Sequence, residues 1–219
     1  MSSCERYTET MTPNDRDLLG KVRKYYEDKL HQHGPTHAGV DWNSEASQVL
    51  RFQQLLKVCD TSTHFSLLDY GCGYGALALY MAGQGYDFEY IGYDISPEML
   101  DKARTRLQAL PNVRLVGEES ALPTADYTVA SGLFNVKLET DDATWRQHIL
   151  DTLAKMAAHS RRGFSFNVLT KYSDAEYMRD YLYYADPCFL FDHCKRRFSR
   201  NVALLHDYEL YEFTILVRL

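Results

Sequence analysis

The spacing of hydrophobic and polar residues changes once along the chain, near residue 65. Before that point, apolar residues recur every three or four positions in two segments, as they do on one face of an α-helix. The first segment follows the helix-start pair Thr12-Pro13 and reaches Leu30, and the second runs from Val49 to Cys59. We therefore predict that residues 1–64 form an N-terminal helical cap.

From Phe65 onward, short apolar runs alternate with amphipathic segments, which is typical of a parallel sheet covered by helices on both faces. Five runs predict strands, at Ser66–Tyr70, Tyr90–Asp94, Val113–Val116, Tyr127–Ser131 and Phe164–Val168. The intervening segments predict three helices, from about Tyr74 to Ala82, after Ser96-Pro97, and from Trp145 to Met156.

The C-terminal part departs from this alternation. Asp186-Pro187 opens a further helix, and the runs "NVALLH" and "YEFTILVRL" are separated only by "DYEL". Two strands with so short a connection pair as an antiparallel hairpin. We predict an α/β fold over residues 65–219, with a seven-stranded sheet that is mostly parallel and has an antiparallel C-terminal hairpin strand.

Composition narrows the class of function. The chain of 219 residues has a formal net charge of -6, which argues against a large binding surface for nucleic acid or an anionic membrane. No apolar run approaches the ~18 residues of a membrane span, and the first residues are polar, unlike a signal peptide. The five cysteines are odd in number and contain no Cys-x-x-Cys pair, which favours reduced thiols and a cytoplasmic protein.

The segment "LLDYGCGYGA" places three glycines, Gly71, Gly73 and Gly75, between the first predicted strand of the sheet and a helix. Such a turn lies at the carboxyl edge of a parallel sheet, where open α/β folds bind ligands. A turn that binds pyrophosphate has the spacing Gly-x-Gly-x-x-Gly and no carboxylate beside it. Asp69, two residues before Gly71, therefore favours a ligand that carries a positive charge.

Asp94 ends the second predicted strand of the sheet, 19 residues after Gly75. A carboxylate at this spacing accepts hydrogen bonds from both hydroxyls of a ribose. Together, the two acids and the glycine turn predict a cationic nucleoside as the ligand.

Residues 69–75 match the motif D-x-G-x-G-x-G, and in this the chain resembles the class I S-adenosylmethionine-dependent methyltransferases, with their Rossmann-like fold, from about Phe65 to Leu219. The resemblance implies S-adenosylmethionine as cofactor. It further implies that the turn from Gly71 through Cys72 to Gly73 passes the methionine and ribose. The other implied contacts are Asp69 with the amino group, Asp94 with the ribose, Ile95 with the adenine face, Glu118 with the adenine amino group and Ser131 with the methionine end.

Methyl transfer from a sulfonium is an in-line displacement that needs a general base only when the nucleophile is protonated. The first candidate for a base or orienting group is His206, whose alternative role is to cap the hairpin. Tyr183 and Tyr184 precede the last predicted helix and either line the substrate pocket or pack in the core, with Tyr184 the second catalytic candidate. Asn135 follows the fourth strand of the sheet, on the expected substrate side.

The predicted cap supplies two further candidates. Arg51 either pairs with a carboxylate of the cofactor or substrate or is a solvated helix charge, and Trp42 either covers the site by stacking or packs in the core. The histidines of "HQHGPTH" lack an acid or cysteine at familiar ligand spacing, so we predict an exposed loop and no metal.

The methyl acceptor is the least constrained part of the prediction. Amino-methylating nucleic-acid enzymes of this family carry Asn/Asp-Pro-Pro-Tyr after the fourth strand, where this chain reads Gly132-Leu133-Phe134-Asn135. That difference and the acidic balance favour a small-molecule acceptor, methylated on O, N or S, and no nucleic-acid partner. The alternatives are an RNA or protein methyltransferase and a non-catalytic protein that binds S-adenosylmethionine.

Overall fold

A seven-stranded sheet forms the centre of the computed structural model, which describes residues 13–40 and 44–219. In spatial order the strands are β3-β2-β1-β4-β5-β7-β6, and every neighbouring pair is parallel except the two that involve β7. The strands are β1 (Phe65–Tyr70), β2 (Phe88–Tyr93), β3 (Val113–Val116), β4 (Ala125–Ala130), β5 (Ser160–Leu169), β6 (Asn201–Leu205) and β7 (Glu212–Arg218). The predicted fold class is confirmed.

Six α-helices accompany the sheet within the described residues: α1 (Pro13–His33), α2 (Glu45–Leu56), α3 (Ala76–Gly83), α4 (Pro97–Leu107), α5 (Asp142–Ala158) and α6 (Pro187–Arg197). The predicted caps of α4 and α6 are present, since the Ser96 hydroxyl and the Asp186 carboxylate accept hydrogen bonds from first-turn N–H groups. Thr12, the predicted cap of α1, lies outside the described residues. None of the described helices has the length and apolarity needed to cross a bilayer.

Several predicted boundaries differ from those of the structure by a few residues, and two of the differences have a clear physical reason. The helix expected from Tyr74 begins at Ala76, because Gly75 has a φ of 80° and cannot join a right-handed helix. The strand expected from Phe164 begins at Ser160, because β5 pairs with both β4 and β7. Arg161 and Arg162 are exposed at its start and interrupt the apolar run.

Side chains alternate between the two faces of β5 and β7. On one face, Phe164 and Phe166 are fully buried and belong to the same apolar cluster as Trp145 of α5. The other face, towards α2, carries polar side chains that are all 0 % exposed: Ser165, Asn167, Glu212 and Thr214. We call these four residues the polar strip.

The two N-terminal helices pack against different parts of the sheet domain. In α1, Glu27 accepts a hydrogen bond from the hydroxyl of Ser96 at 2.8 Å, and His31 Nε2 lies 2.5 Å from a carboxylate oxygen of Glu98. Both partners are at the start of α4. Helix α2 packs on the polar strip, where the Ser165 hydroxyl donates to a carbonyl of α2.

Candidate cofactor and acceptor sites

The glycine turn between β1 and α3 requires residues without a side chain. Gly71, Gly73 and Gly75 have φ values of 87°, 52° and 80°, in the left-handed region that other residues rarely adopt. A Cβ on Gly71 would also lie 2.9 Å from Cδ1 of Leu133. The Gly71 N–H donates to the carbonyl of Tyr93 at 2.8 Å, which fixes the turn against the end of β2.

Asp94, directly after β2, connects this turn to α4. One carboxylate oxygen accepts from the Gly73 N–H and the other from the Ser96 N–H, each at 2.8 Å. Burial raises the pKa of Asp94 to about 6, although both N–H groups oppose that shift by favouring the ionised form. Each oxygen keeps a second lone pair, so the carboxylate can also accept from the hydroxyls of a ligand.

Asp69 lies near the end of β1 and is 3 % exposed. The hydroxyl of Tyr90 donates to its carboxylate at 2.6 Å. Burial raises the pKa of Asp69 to about 7, and the nearby charge of Asp94 contributes in the same direction. A cation bound beside Asp69 would restore the ionised form.

A cavity at the carboxyl edge of the sheet joins these groups; we call it the cofactor cavity. Its wall brings together seven of the predicted cofactor residues: Asp69, Gly71, Cys72, Gly73, Asp94, Ile95 and Ser131. The hydroxyl oxygen of Ser131 is buried and has no hydrogen-bond partner among the described residues. Buried hydroxyls normally have a partner, so a bound ligand is the natural one here.

The acid of the β3–β4 connection that reaches this cavity is Glu119 rather than the predicted Glu118. Glu118 is exposed and is not part of the wall, because the single helical turn after it carries Glu119 inward. Glu119 accepts from Lys155 Nζ at 2.9 Å and from the hydroxyl of Tyr70. Neither Glu119 nor Lys155 was among the predicted site residues, although both line the cavity.

A second, larger cleft of about 850 Å³ adjoins the first cavity. Tyr26 and Val40 line both. We call it the tyrosine cleft after six of its lining residues: Tyr26, Tyr177, Tyr181, Tyr184, Tyr208 and Tyr211.

Several residues predicted to bind substrate have defined places around the tyrosine cleft. Asn135 and Tyr184 line it, and their side-chain oxygens accept from the N–H groups of Leu169 and Arg179, at 3.1 Å and 2.9 Å respectively. Tyr183 is buried and lines neither cavity. Trp42 lies outside the described residues.

Arg51 also lines the tyrosine cleft, although it was predicted to pair with a carboxylate of the cofactor or substrate. Its Nε donates to Glu212 Oε2 at 2.8 Å, and both side chains are buried. A carboxylate of the protein itself therefore occupies one edge of the guanidinium. Because its partner is 161 residues away, the sequence offered no sign of this pair.

His206 lies outside both cavities. It is exposed after β6, and its ring packs near those of Tyr172 and Phe213, with centroid separations of 6.0 Å and 5.8 Å. The structure does not bring this candidate base to the cofactor residues. Within residues 13–40 and 44–219, no three His, Cys, Asp or Glu side chains are grouped as a metal site.

Comparisons with known proteins agree with this geometry. A family model described as "Methyltransferase domain" matches residues 67–163. The chain is also 54% identical, over 163 residues, to the "Putative methyltransferase Rv1506c" of Mycobacterium tuberculosis. The alignment covers 74% of this chain and 98% of that relative.

Solved structures share the fold at low sequence identity. The magnesium protoporphyrin IX methyltransferase of Synechocystis PCC 6803, with bound S-adenosylmethionine, superposes with a TM-score of 0.66 at 12% identity, covering 96% of this chain and 99% of that one. The 1,6-didemethyltoxoflavin-N1-methyltransferase of Burkholderia thailandensis gives a TM-score of 0.64 at 17% identity, covering 97% and 92%. With the glycine turn and the M. tuberculosis relative, this likeness shows that the chain belongs to the class I S-adenosylmethionine-dependent methyltransferases.

Proposed function

We propose that the protein transfers a methyl group from S-adenosylmethionine to an oxygen, nitrogen or sulfur atom of a small molecule held in the tyrosine cleft. The observation that carries this proposal is the contact between the two cavities, which share Tyr26 and Val40. A cleft of about 850 Å³ is also within the range that holds small organic ligands.

The cofactor cavity fits S-adenosylmethionine in its shape and donor set. The glycine turn allows close approach of a ligand to the backbone, Asp94 offers acceptor lone pairs for hydroxyls, and the Ser131 hydroxyl lacks a partner among the described residues. A buried carboxylate at Asp69 favours a positively charged ligand. When bound, S-adenosylmethionine supplies an activated methyl group on a sulfonium.

The chain's own contribution is alignment and exclusion of water. Of the described residues that line the tyrosine cleft, Glu209 is the only carboxylate, and it is exposed. An exposed carboxylate is a weak base at neutral pH, so we propose that catalysis depends on positioning the acceptor rather than on removing its proton.

The tyrosines favour an acceptor that contains rings. The hydroxyl of Tyr208 bonds to Thr214 at 2.8 Å, that of Tyr211 donates to Asp174, and that of Tyr184 accepts a backbone N–H. With these hydroxyls engaged by the protein, ring surfaces are what the side chains offer to the acceptor. The relatives with solved structures are named for a porphyrin and a toxoflavin, which supports this class.

The test is a methylation screen. The purified protein is incubated with methyl-deuterated S-adenosylmethionine and a metabolite extract, and products are sought by mass spectrometry as ions that gain one labelled methyl group. We expect labelled products below the size of a protein or nucleic acid. Label found only in protein or RNA would contradict the proposal.

A matched pair of variants tests the position of the acceptor. Tyr177→Ala removes an exposed ring of the tyrosine cleft, and we expect it to raise the KM for the identified acceptor about tenfold without changing the affinity for S-adenosylhomocysteine. Tyr172→Ala removes an equally exposed tyrosine that does not line the cleft and should leave both values unchanged. Equal effects of the two variants on KM would contradict binding in this cleft.

A further inference from the structure

We infer that Asn167 and Glu212 are positioning residues that hold the Ser131–Leu133 loop of the cofactor cavity and connect it, through Arg51, to the tyrosine cleft. The inference depends on the proposed function only at its Arg51 end. Its other end concerns the cofactor cavity, and S-adenosylmethionine is the cofactor of the whole family, whatever the methyl acceptor is.

Three hydrogen bonds form the connection. The N–H of Gly132 donates to Asn167 Oδ1 at 2.7 Å, Asn167 Nδ2 donates to Glu212 Oε1 at 2.9 Å, and Arg51 Nε donates to Glu212 Oε2 at 2.8 Å. Asn167 and Glu212 are 0 % exposed and Arg51 is 6 % exposed. The path therefore runs from the loop after β4, through the interior strands β5 and β7, to α2.

The direction of each bond is fixed by chemistry. A backbone N–H can only donate, so the oxygen of the Asn167 amide must face Gly132 and its nitrogen must face Glu212. The carboxylate of Glu212 then accepts at both oxygens. Burial raises the pKa of Glu212, whereas Arg51 and the Asn167 amide oppose that rise by stabilising the ionised form. An ionised aspartate at position 167 or a glutamine at position 212 would place two acceptors or two donors face to face.

The loop that Asn167 holds shapes the cofactor cavity. Gly132 has a φ of 69°, and its neighbours Ser131 and Leu133 both line the cavity. Leu133 also packs against the glycine turn, since its Cδ1 would lie 2.9 Å from a Cβ on Gly71. A shift of this loop would move the Ser131 hydroxyl and the Leu133 side chain together.

At the other end, Arg51 lines the tyrosine cleft. A molecule that enters the cleft and displaces the guanidinium also changes the hydrogen bond that Glu212 receives. Through Asn167 that change reaches Gly132, so the same buried hydrogen-bond network contacts both cavities. A contiguous hydrogen-bond network of this kind can carry energetic coupling between sites.

Ser165, another member of the polar strip, provides a control, because its side-chain hydrogen bond is to a residue of α2 that lines neither cavity. The Ser165 hydroxyl donates to the carbonyl of Leu55 at 2.9 Å, and the Thr214 hydroxyl bonds to that of Tyr208 at 2.8 Å. Ser165 lies on the same strand and face as Asn167 and is equally buried, but its side-chain hydrogen bond is to Leu55 rather than to the Ser131–Leu133 loop. Ser165→Ala is therefore matched to Asn167→Ala in strand, face and burial, although it removes one side-chain hydrogen bond where Asn167→Ala removes two.

The experiment measures the dissociation constant of S-adenosylhomocysteine by calorimetry and the exchange rate of the Gly132 amide proton by NMR. For Asn167→Ala we expect binding about tenfold weaker and Gly132 exchange at least about tenfold faster, because the N–H loses its acceptor. Ser165→Ala should keep both within about twofold of the wild type. A folded Asn167→Ala protein with wild-type affinity and exchange would overturn the inference.

The isosteric variant Asn167→Asp keeps the test valid if Asn167→Ala does not fold. Its carboxylate still accepts a hydrogen bond from the Gly132 N–H, but its other oxygen faces the carboxylate of Glu212. The other ionisable groups near this pair are Arg51 and Tyr208. Burial and mutual repulsion raise the pKa of two facing carboxylates, so the pair takes up a shared proton as the pH falls. The variant's dissociation constant divided by that of the wild type should therefore fall as pH decreases from 8 to about 5.5. A constant ratio would overturn the inference.

Glu212→Gln tests the second bond, because one donor of the network then faces an amide nitrogen. We expect weaker binding of S-adenosylhomocysteine and faster exchange of the Gly132 amide proton, with both effects smaller than those of Asn167→Ala. Wild-type values of both quantities would confine the positioning role to Asn167 and overturn the connection to Arg51. Since these readouts need only S-adenosylhomocysteine, failure to find a methyl acceptor would count against the proposed function alone.

Discussion

At the scale of single residues, the carboxylate of Asp94 holds the backbone of the glycine turn and is also predicted to bind the ribose of the cofactor. Its two oxygens hold the N–H groups of Gly73 and Ser96, which fixes the glycine turn relative to α4. The remaining lone pairs of the carboxylate can accept hydrogen bonds from the hydroxyls of a ligand. The residue predicted to bind the cofactor thus also shapes the turn.

We predict that Asp94→Asn weakens binding of S-adenosylhomocysteine at least about tenfold. The amide can accept at only one position, so its NH₂ group must face one of the two backbone N–H groups. Calorimetry measures the effect. Asp101→Asn, a change of an exposed aspartate on α4, is the control and should bind like the wild type. Equal affinities of the two variants would refute the assignment of Asp94.

The raised pKa of Asp69, about 7, predicts a pH-dependent stability. The unfolded chain ionises this carboxyl near pH 4, whereas the folded protein keeps it protonated up to about pH 7. Its stabilising contribution is therefore present at low pH and is lost as pH rises through the folded pKa.

Asp69→Asn should remove this dependence, since an amide does not ionise. We expect the variant to gain on the order of 2 kcal/mol in unfolding free energy relative to the wild type between pH 5 and pH 8. Denaturant unfolding of the ligand-free proteins at both pH values provides the measurement. A difference between variant and wild type that is the same at both pH values would show that Asp69 ionises normally.

Local signals explain which site residues could be predicted. Asp69, Asp94 and the glycines stand at strand ends, and the carboxyl ends of parallel strands meet at one edge of the sheet. Asn167 and Glu212 lie within strands, so nothing in their neighbourhood distinguishes them from ordinary polar positions. For His206 the reverse holds. Its position at the end of a predicted strand indicated a catalytic base, but the hairpin places it away from both cavities.

At the scale of elements, α1 lines the cofactor cavity although it precedes the sheet in the chain, as do Gln48 and Phe52 of α2. Its residues Leu19, Val22 and Tyr26 line that cavity, and Glu27 bonds to Ser96 at the start of α4. A bound cofactor would add contacts to the inner face of this helix. Helical spacing predicted α1, whereas its position over the cavity depends on contacts with α4 that the pattern does not encode.

We predict that S-adenosylhomocysteine slows hydrogen exchange in peptides from α1 several-fold, because the ligand stabilises the packed position of the helix. Exchange followed by mass spectrometry gives the rate for each peptide. Peptides from α6, which contributes no residue to the cofactor cavity, serve as the internal control. Unchanged exchange in α1 at saturating ligand would mean that the helix does not contact the cofactor.

At the scale of the whole molecule, charge argues against a nucleic-acid acceptor. The formal net charge is -6, and many of the described arginines and lysines are held in ion pairs with acids. RNA binding depends on cations that replace counterions along the phosphate backbone, and it therefore weakens steeply with salt.

We predict no salt-dependent affinity for RNA. Fluorescence anisotropy of a labelled single-stranded RNA, titrated with the protein at about 50 mM and about 200 mM salt, should show no binding at micromolar protein. A basic RNA-binding protein measured alongside confirms that the assay responds to salt. Micromolar binding that disappears at the higher salt would favour an RNA methyltransferase.

The position of β7 has a consequence for how the enzyme is made. It is the last of the seven strands in chain order, yet it lies between β5 and β6. During synthesis β6 emerges first and has no neighbour until β7 is inserted. Because β7 also carries Glu212, the ion pair between Arg51 and Glu212 forms only after a residue 161 positions downstream of Arg51 has been synthesised. A chain arrested before β7 should therefore lack both the Arg51–Glu212 ion pair and the hydrogen bond from Asn167 to Glu212, so that insertion of β7 completes the sheet and the proposed network together.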